Sequence, residues 1–267
     1  MAGIGQQVFN HVTRIKVTFR DDIGNGEPIS GTGFWIEVNN TRYFVTNRHN
    51  VDPTLKLGAS TKYRLEGLQI QLRKGTQGIL VPITEFTPVE NFKDFKLHNE
   101  ADVAVLKEPR FNNATSEFLI TAFGKDEIAE LAFFSQGLQP MDIASFIGFP
   151  GLNGKQWWDE RWQFPIARTV NIASYPSIPF THSDIKTGDV SLVSGLSFSG
   201  SSGSPIISHQ KGIQVGGGLQ GGGFVPPKVI GIMSGHWWED ELNQRDAFNH
   251  SGLSYYTRST SILELVD

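Results

Sequence analysis

The sequence predicts an all-β protein built from antiparallel strands, arranged as a sandwich or a barrel. Many short segments alternate apolar and polar residues or cluster β-branched and aromatic residues, as strands do. Runs rich in glycine, asparagine, aspartate and proline separate these segments at short intervals. The chain has 267 residues, of which 39% are hydrophobic, and this suffices for one large domain or two smaller ones.

The predicted elements follow one another along the chain. A helix is predicted over Lys125 to Gln136, where it connects two halves, and a second short helix over the final "STSILELVD". The glycine-rich segment from His209 to Lys228 predicts a mobile loop or an extended hairpin, with a functional lid as the alternative. The predicted turns are "DDIGNGEP", "VNNT", "KGTQG" and "GLNGK". The predicted strands are "TRIKVTF", "GTGFWIEV", "TRYFVTN", "YRLEGLQIQLR", "ILVPITEF", "DVAVLK", "DIASFIGFP", "ARTVNIAS", "SPIIS" and "VIGIMSG".

Composition excludes several functional classes. The net charge of −4 and the absence of a basic stripe argue against a nucleic-acid partner. The chain has no cysteine, so it holds neither disulfides nor zinc-thiolate sites, and none of its seven histidines forms an HxxxH pair. No apolar run is long enough for a membrane span and no signal peptide is recognisable. We therefore expect a cytoplasmic protein with no membrane segment and neither a zinc-thiolate nor a helical histidine metal site.

The stretch "GLSFSGSSGSPII", Gly195 to Ile207, has two interpretations. Its composition is typical of a flexible glycine–serine linker. However, Pro205 to Ile207 reads as the start of a buried strand, and a linker rarely runs directly into one. The alternative is a rigid turn that presents one activated serine, a possibility that the rest of the sequence must decide.

Two further segments supply the partners that a nucleophilic serine requires, namely a base and an anion that orients the base. The segment "YFVTNRHNV" places His49 at the end of an apolar strand. The segment "NEADVAVLK" places Asp102 in an apolar context, where a carboxylate needs a partner and histidine is a natural one. Taken singly, a histidine after a strand is more often structural, and an acid at the start of a strand is usually a turn residue.

Within "GSSGSP", Ser202 is the candidate nucleophile, and Ser201 and Ser204 are the competing hydroxyls. Gly200 and Gly203 permit the tight backbone that turns successive N–H groups into one concavity. The N–H groups of Gly200 and Ser202 can then converge on the oxyanion that forms during acyl transfer.

The order His49, Asp102, Ser202, at intervals of 53 and 100 residues, resembles that of chymotrypsin-type (trypsin-like) serine peptidases. The similarity is to their cysteine-free bacterial form, which includes glutamyl endopeptidases and heat-shock serine proteases. It covers most of the chain, from about Gly31 to Tyr256. The segments that carry it are "GTGFWIE…RYFVTNRHNV", "ADVAVLK", "SFIGFPG", "PIARTVNIAS", "GLSFSGSSGSPII" and "VIGIMSG".

The resemblance implies two six-stranded antiparallel β-barrels with the active site in the cleft between them. Residues 1–130 would form the first barrel, with His49 and Asp102. Residues 131–267 would form the second, with Ser202 and the specificity pocket. The "GSSGSP" run is then a rigid turn, and Ser202 lies at its tip.

The resemblance also implies a serine endopeptidase that needs no cofactor and acts on a protein or peptide substrate. His49, Asp102 and Ser202 would be its catalytic triad, and Gly200 and Ser202 would supply the oxyanion hole. Ser201 stands where the animal digestive enzymes have the aspartate that pairs with a newly cut N-terminus, so activation by that cleavage is not expected. The residues expected to bind substrate are Leu196, Ser197, Ser234, Gly235 and His236.

Two other functions remain compatible with the same sequence. One is a latent protease that an activating protein partner switches on toward a dedicated intracellular substrate. The other is a non-catalytic binding module that keeps the fold, since fold alone does not determine function.

Overall fold

The structure is a computed structural model that describes residues 8–26, 28–73, 83–111, 118–152, 155–183, 185, 187–212, 223–238 and 250–266. β-Strands predominate, as the sequence predicts. The helices are α1 Val8–His11, α2 Thr54–Leu57, α3 Leu131–Gln136 and α4 Ser259–Leu263, with 3-10 turns at Arg48–Asn50 and Lys125–Glu127. The strands are β1 Val12–Arg20, β2 Pro28–Val38, β3 Thr41–Thr46, β4 Arg64–Arg73, β5 Ile83–Pro88, β6 Lys96–Leu97, β7 Ala104–Lys107, β8 Phe123–Gly124, β9 Ile143–Gly148, β10 Gly151–Leu152, β11 Lys155–Gln156, β12 Ile166–Ile172, β13 Val190–Ser194, β14 Pro205–Ser208, β15 Val229–Trp238 and β16 His250–Arg258.

The first half of the chain forms an eight-stranded sheet. Its strands follow the order β5-β4-β1-β2-β3-β7-β6, and β8 pairs in parallel with β2. The predicted turn "VNNT" joins β2 to β3, with Val38 opposite Thr41. Asn39 and Asn40 have φ of 51° and 60°, as a two-residue type I′ hairpin turn requires. This hairpin fixes the register of the strand that leads to His49.

The second half forms a closed barrel of six strands, in the order β12-β13-β16-β15-β14-β9. Each strand pairs antiparallel with its neighbours, so the barrel leaves no free sheet edge along its paired length. The antiparallel all-β class predicted from the sequence is confirmed, and the closed barrel with its second sheet is consistent with the double-barrel fold that the resemblance implies. Within the described residues, the first unit has the form of a sheet whose end strands, β5 and β6, are not paired with each other.

Buried apolar side chains form three clusters. One lies against the first sheet and another fills the barrel. The third joins the two units, since it combines Phe34 and Val105 of the sheet with Ile207 and Ile232 of the barrel. This shared core holds the two units against each other. The division of the chain at residue 130 stays a prediction.

The predicted helix over Lys125 to Gln136 is wrong in its first half. Ile128 is extended and bridges to Val229, and the N–H of Ala129 donates to the Val229 carbonyl at 2.9 Å. Ile128 and Ala129 are both buried, so pairing with β15 replaces the helical hydrogen bonds here. The short C-terminal helix is confirmed as α4.

The glycine-rich segment predicted over 209–228 lies partly outside the described residues, which omit 213–222. Its described ends pair antiparallel, because Lys211 and Val225 exchange backbone hydrogen bonds of 3.0 and 2.9 Å. Among the helices of the described ranges, none is both long and apolar enough to cross a bilayer.

Candidate active site

His49 lies in the 3-10 turn that ends β3, and Asp102 lies in the loop before β7. The two side chains are buried, at 5% and 4% exposure. Nδ1 of His49 lies 2.7 Å from Oδ2 of Asp102, and the His49 backbone N–H donates to Oδ1 at 2.9 Å. An ionised carboxylate can only accept, so the proton of a neutral His49 ring is on Nδ1. Nε2 then presents its lone pair.

The surroundings of this pair explain its geometry. Asp102 stands between Ala101 and Val103, which are 1% and 0% exposed, so its carboxylate is removed from water. Two donors from His49 compensate for that loss. Nε2 of His49 is buried and has no hydrogen-bond partner within the described part of the chain. A basic nitrogen is therefore left without a partner.

The segment around Ser202 is a rigid turn, as the second interpretation of its sequence predicts. Gly200 and Gly203 have φ of 84° and 93°. A Cβ at Gly203 would overlap the Thr32 carbonyl oxygen, and one at Gly200 would overlap the Phe149 carbonyl oxygen. Both conformation and close packing therefore require glycine at these two positions.

This turn is fixed to the first sheet beside His49. The Ser202 carbonyl accepts hydrogen bonds from the Thr32 N–H at 3.0 Å and from Nδ2 of Asn50 at 3.3 Å. Asn50 directly follows His49 in the chain. The structure thus brings Ser202 next to the His49–Asp102 pair, although no hydrogen bond joins Oγ of Ser202 to Nε2 of His49. Such contacts are often long in unliganded enzymes and shorten when substrate binds.

The two competing hydroxyls are inaccessible. Ser201 is 1% exposed and its Oγ accepts a hydrogen bond from the Phe198 N–H, whereas Ser204 is fully buried. Ser202 is partly exposed. Of the three serines in "GSSGSP", Ser202 alone can meet a substrate.

The backbone near Ser202 leaves two N–H groups available. The Ser199 carbonyl accepts from the Gly151 N–H at 2.8 Å, and the opposite end of that trans peptide is the Gly200 N–H. The Ser201 N–H is used internally, by the Phe198 carbonyl at 2.9 Å. The N–H groups of Gly200 and Ser202 have no hydrogen-bond partner in the described ranges. They are free to receive an oxyanion.

Strand β15 offers one open edge near the site. Its pairing with β14 ends at Ile232, and the Met233 N–H and carbonyl bond to the serine turn instead. A bulge at Ser234 follows on the β16 side. From Ser234 onward no described strand pairs with the β14-side edge, so its backbone can pair with an extended peptide. Gly235 lacks a Cβ that would overlap the Tyr255 hydroxyl.

Two of the predicted substrate-binding residues, Ser197 and His236, form a polar cluster with Ser254 and His250. Oγ of Ser197 lies 3.2 Å from Nδ1 of His236 and accepts from Oγ of Ser254 at 3.0 Å. The His236 ring stacks on His250, with centroids 4.5 Å apart. Leu196, in contrast, is 42% exposed.

The histidines of this cluster are uncharged near neutral pH. Burial lowers the pKa of His236 to about 4, with smaller contributions from His250 and Lys56. Burial also lowers the pKa of His250, and Arg168 adds to this effect. Among the described residues, no group of three His, Cys, Asp or Glu side chains is placed to hold a metal ion.

Sequence reasoning missed three polar residues that connect the site: Thr32, Asn47 and Asn50. Each stands next to a recognisable motif, in "GTGF" or in "TNRHN". Thr32 and Asn47 are completely buried. The available signal was a polar residue in or directly after an otherwise apolar strand. The bonds to Gly200, Ser202 and Ser234 could not be foreseen, because these partners lie more than a hundred residues away in sequence.

Comparisons with known proteins bear on the fold. No family model and no curated protein matches the sequence. A solved structure, described as "Crystal structure of Deg5", matches with a TM-score of 0.51 over 97% of this chain and 88% of that one. The identity is 12%. The match shows the fold alone. That fold is the chymotrypsin-like double barrel that the resemblance implies.

Proposed function

We propose that this chain is a serine endopeptidase with His49, Asp102 and Ser202 as its catalytic triad. The likeness to Deg5 supports the coarser assignment, a hydrolase of the trypsin-like serine protease class. The observation that carries the finer one is the buried 2.7 Å contact between His49 and Asp102, which leaves Nε2 of His49 without a partner among the described residues, while the next residue, Asn50, bonds to Ser202. A serine, a base and an orienting acid are the groups that acyl transfer needs.

The reaction follows from these positions. Oγ of Ser202 attacks the peptide carbonyl while Nε2 of His49 takes its proton. The N–H groups of Gly200 and Ser202 stabilise the negative oxygen of the tetrahedral intermediate. His49 then gives the proton to the leaving amine, and an ester remains on Ser202. Water activated by His49 hydrolyses that ester and restores the serine. Asp102 holds the tautomer and stabilises the imidazolium in both halves.

The substrate would bind as an extended peptide along β15 at Ser234 and Gly235. Its side chain before the scissile bond would meet Ser197 and His236, with Leu196 at the exposed margin. These roles rest on the open strand edge and on the polar cluster. The geometry needs no cofactor for the steps above.

Peptide hydrolysis tests the proposal. A mixture of defined peptides is incubated with the wild type, with Ser202→Ala and with Ser135→Ala, and new termini are identified by mass spectrometry. Ser135 is an exposed serine on α3, remote from the turn, and controls for the loss of any hydroxyl. We expect cleavage by the wild type and by Ser135→Ala but none by Ser202→Ala. Equal cleavage by all three proteins would contradict the proposal.

A further inference from the structure

Asn47 is a buried side chain whose bonds reach beyond its own turn. It precedes the 3-10 turn of His49 and is 0% exposed. An asparagine at this position usually caps the turn with its side chain, but the Asn47 side chain makes no capping bond. Its amide nitrogen, Nδ2, donates instead to the Asp102 carbonyl at 2.8 Å and to Oγ of Ser234 at 3.0 Å.

Chemistry fixes the orientation of this amide. A backbone carbonyl can only accept, so the side-chain atom 2.8 Å from the Asp102 oxygen must be the NH₂ group. The second N–H of the same group then points at Ser234. Oγ of Ser234 can accept it, because its own proton can be given to Thr257 Oγ1 at 2.9 Å or to the Ile232 carbonyl at 3.2 Å.

The arrangement leaves one buried polar atom of Asn47 unsatisfied, which lowers the stability of the fold. Oδ1 of Asn47 is buried and has no partner within the described part of the chain. An unsatisfied buried acceptor costs about 1–3 kcal/mol. A residue that bears such a cost at this position is expected to have a role beyond holding the fold together.

We propose that Asn47 is a positioning residue, which holds the backbone of Asp102 in register with His49 and with the substrate-binding strand at Ser234. The inference rests on the proposed function and deepens it. One rigid amide spans three elements: the turn of His49, the loop of Asp102 and β15 of the barrel. Asparagine supplies two donors from one planar group, whereas serine offers one and alanine none.

The test compares Asn47→Ala with Asn91→Ala. Asn91 is a buried asparagine of the same sheet region, whose side chain also bonds backbone groups, at Lys107, Glu108 and Arg110, away from His49. Three quantities are measured: kcat and KM for a cleaved peptide, the rate of fluorophosphonate labelling, and the low-field proton resonance of His49 Nδ1 in the bond to Asp102.

We expect Asn47→Ala to lower kcat and the labelling rate about 10²-fold, the cost of a misplacement of roughly 1 Å. KM should change little, and the His49 resonance should shift or broaden. Asn91→Ala should leave these readouts near wild type even where both variants lose similar thermal stability. If Asn47→Ala does not fold, Asn47→Ser retains one donor and should give a smaller change of the same kind.

Equal effects of the two alanine variants, or an unmoved His49 resonance in the Asn47 variant, would overturn the proposal. The resonance also separates this inference from the proposed function. A wild type that neither cleaves nor labels would contradict the endopeptidase assignment, whereas the His49–Asp102 resonance would still report whether Asn47 holds that pair.

Discussion

At the scale of single residues, burial distinguishes the candidate nucleophile from its neighbours and places the candidate base and acid together. The loop contains three candidate serines within four residues, and only Ser202 is partly exposed while Ser201 and Ser204 are buried. His49 and Asp102 are enclosed as a pair, with one nitrogen of the ring bonded and the other left without a partner. The identity of these residues could be predicted from glycine spacing and chain order. Their burial could not, because it depends on packing between distant segments.

Asp102→Asn tests the orienting acid. An amide can donate to His49 Nδ1 where the carboxylate accepts, and so favours the wrong ring tautomer. We expect kcat to fall about 10⁴-fold, the size of effect known for this substitution in such triads. Thermal unfolding should change far less than activity. Asp126→Asn, in the 3-10 turn before α3, is the control, and a loss of less than about tenfold in Asp102→Asn would contradict the assigned role.

His11 gives a prediction of stability against pH. It packs edge-on against Phe123, with ring centroids 4.5 Å apart, and burial lowers its pKa from 6.5 to about 4. Between these two pH values His11 is protonated in the unfolded chain but not in the folded protein, so a lower pH favours unfolding. We expect the urea midpoint to fall as pH decreases from 6.5 toward 4. His11→Phe, which removes the titrating ring but keeps an aromatic side chain against Phe123, should flatten that dependence. An unchanged slope in His11→Phe would contradict this account.

At the scale of elements, sequence signals were reliable where the structure depends on neighbouring residues alone, as in a tight turn. A turn was predicted at "VNNT", and the structure has a hairpin turn there, with Asn39 and Asn40 in the left-handed conformation. The helix over Lys125 to Gln136 failed in its first half for the opposite reason. Ile128 and Ala129 pair with Val229 of β15, about a hundred residues further along the chain. That pairing overrides the helical propensity of the segment.

Gly203→Ala tests the rigidity of the serine turn, and Gly24→Ala is its matched control. Gly24 has a similar φ of 87° and nothing within 4 Å of an added Cβ, whereas a Cβ at Gly203 meets the Thr32 carbonyl. Left-handed backbone alone costs about 1–2 kcal/mol. We expect that loss for Gly24→Ala with unchanged labelling at Ser202. Gly203→Ala should lose more stability and also labelling, and equal behaviour of the two variants would refute the packing argument.

At the scale of the whole molecule, Thr32 connects the two units. Its Oγ1 donates to the Gly200 carbonyl at 2.7 Å and accepts from the Phe149 N–H at 3.1 Å. Its backbone N–H holds Ser202, as described above. Because one residue of the first sheet organises the loop of the second barrel, the site depends on how the two units meet. The sequence predicted the units and the catalytic candidates but not this connection. The cytoplasmic location and the activating partner remain predictions.

Thr32→Val tests that connection. The substitution keeps the shape of the side chain but leaves the buried Phe149 N–H without its acceptor, which costs about 1–3 kcal/mol of stability. We expect slower labelling of Ser202 in a protein that still folds, since Gly200 loses the donor that fixes its peptide. Thr18→Val on β1 is the control and should label normally. Normal labelling of Thr32→Val at wild-type stability would show that the two units do not communicate through Thr32.

The most direct measurement is labelling by a fluorophosphonate probe at neutral pH, with the modified residue mapped by mass spectrometry. The probe reacts with a serine hydroxyl that a neighbouring base activates, and it requires no knowledge of the natural substrate. We expect a single modified residue, Ser202, and no labelling of Ser202→Ala or of His49→Ala. Labelling that maps to Ser201 or Ser204, or an unlabelled wild type, would contradict the assignment of an activated nucleophile at Ser202.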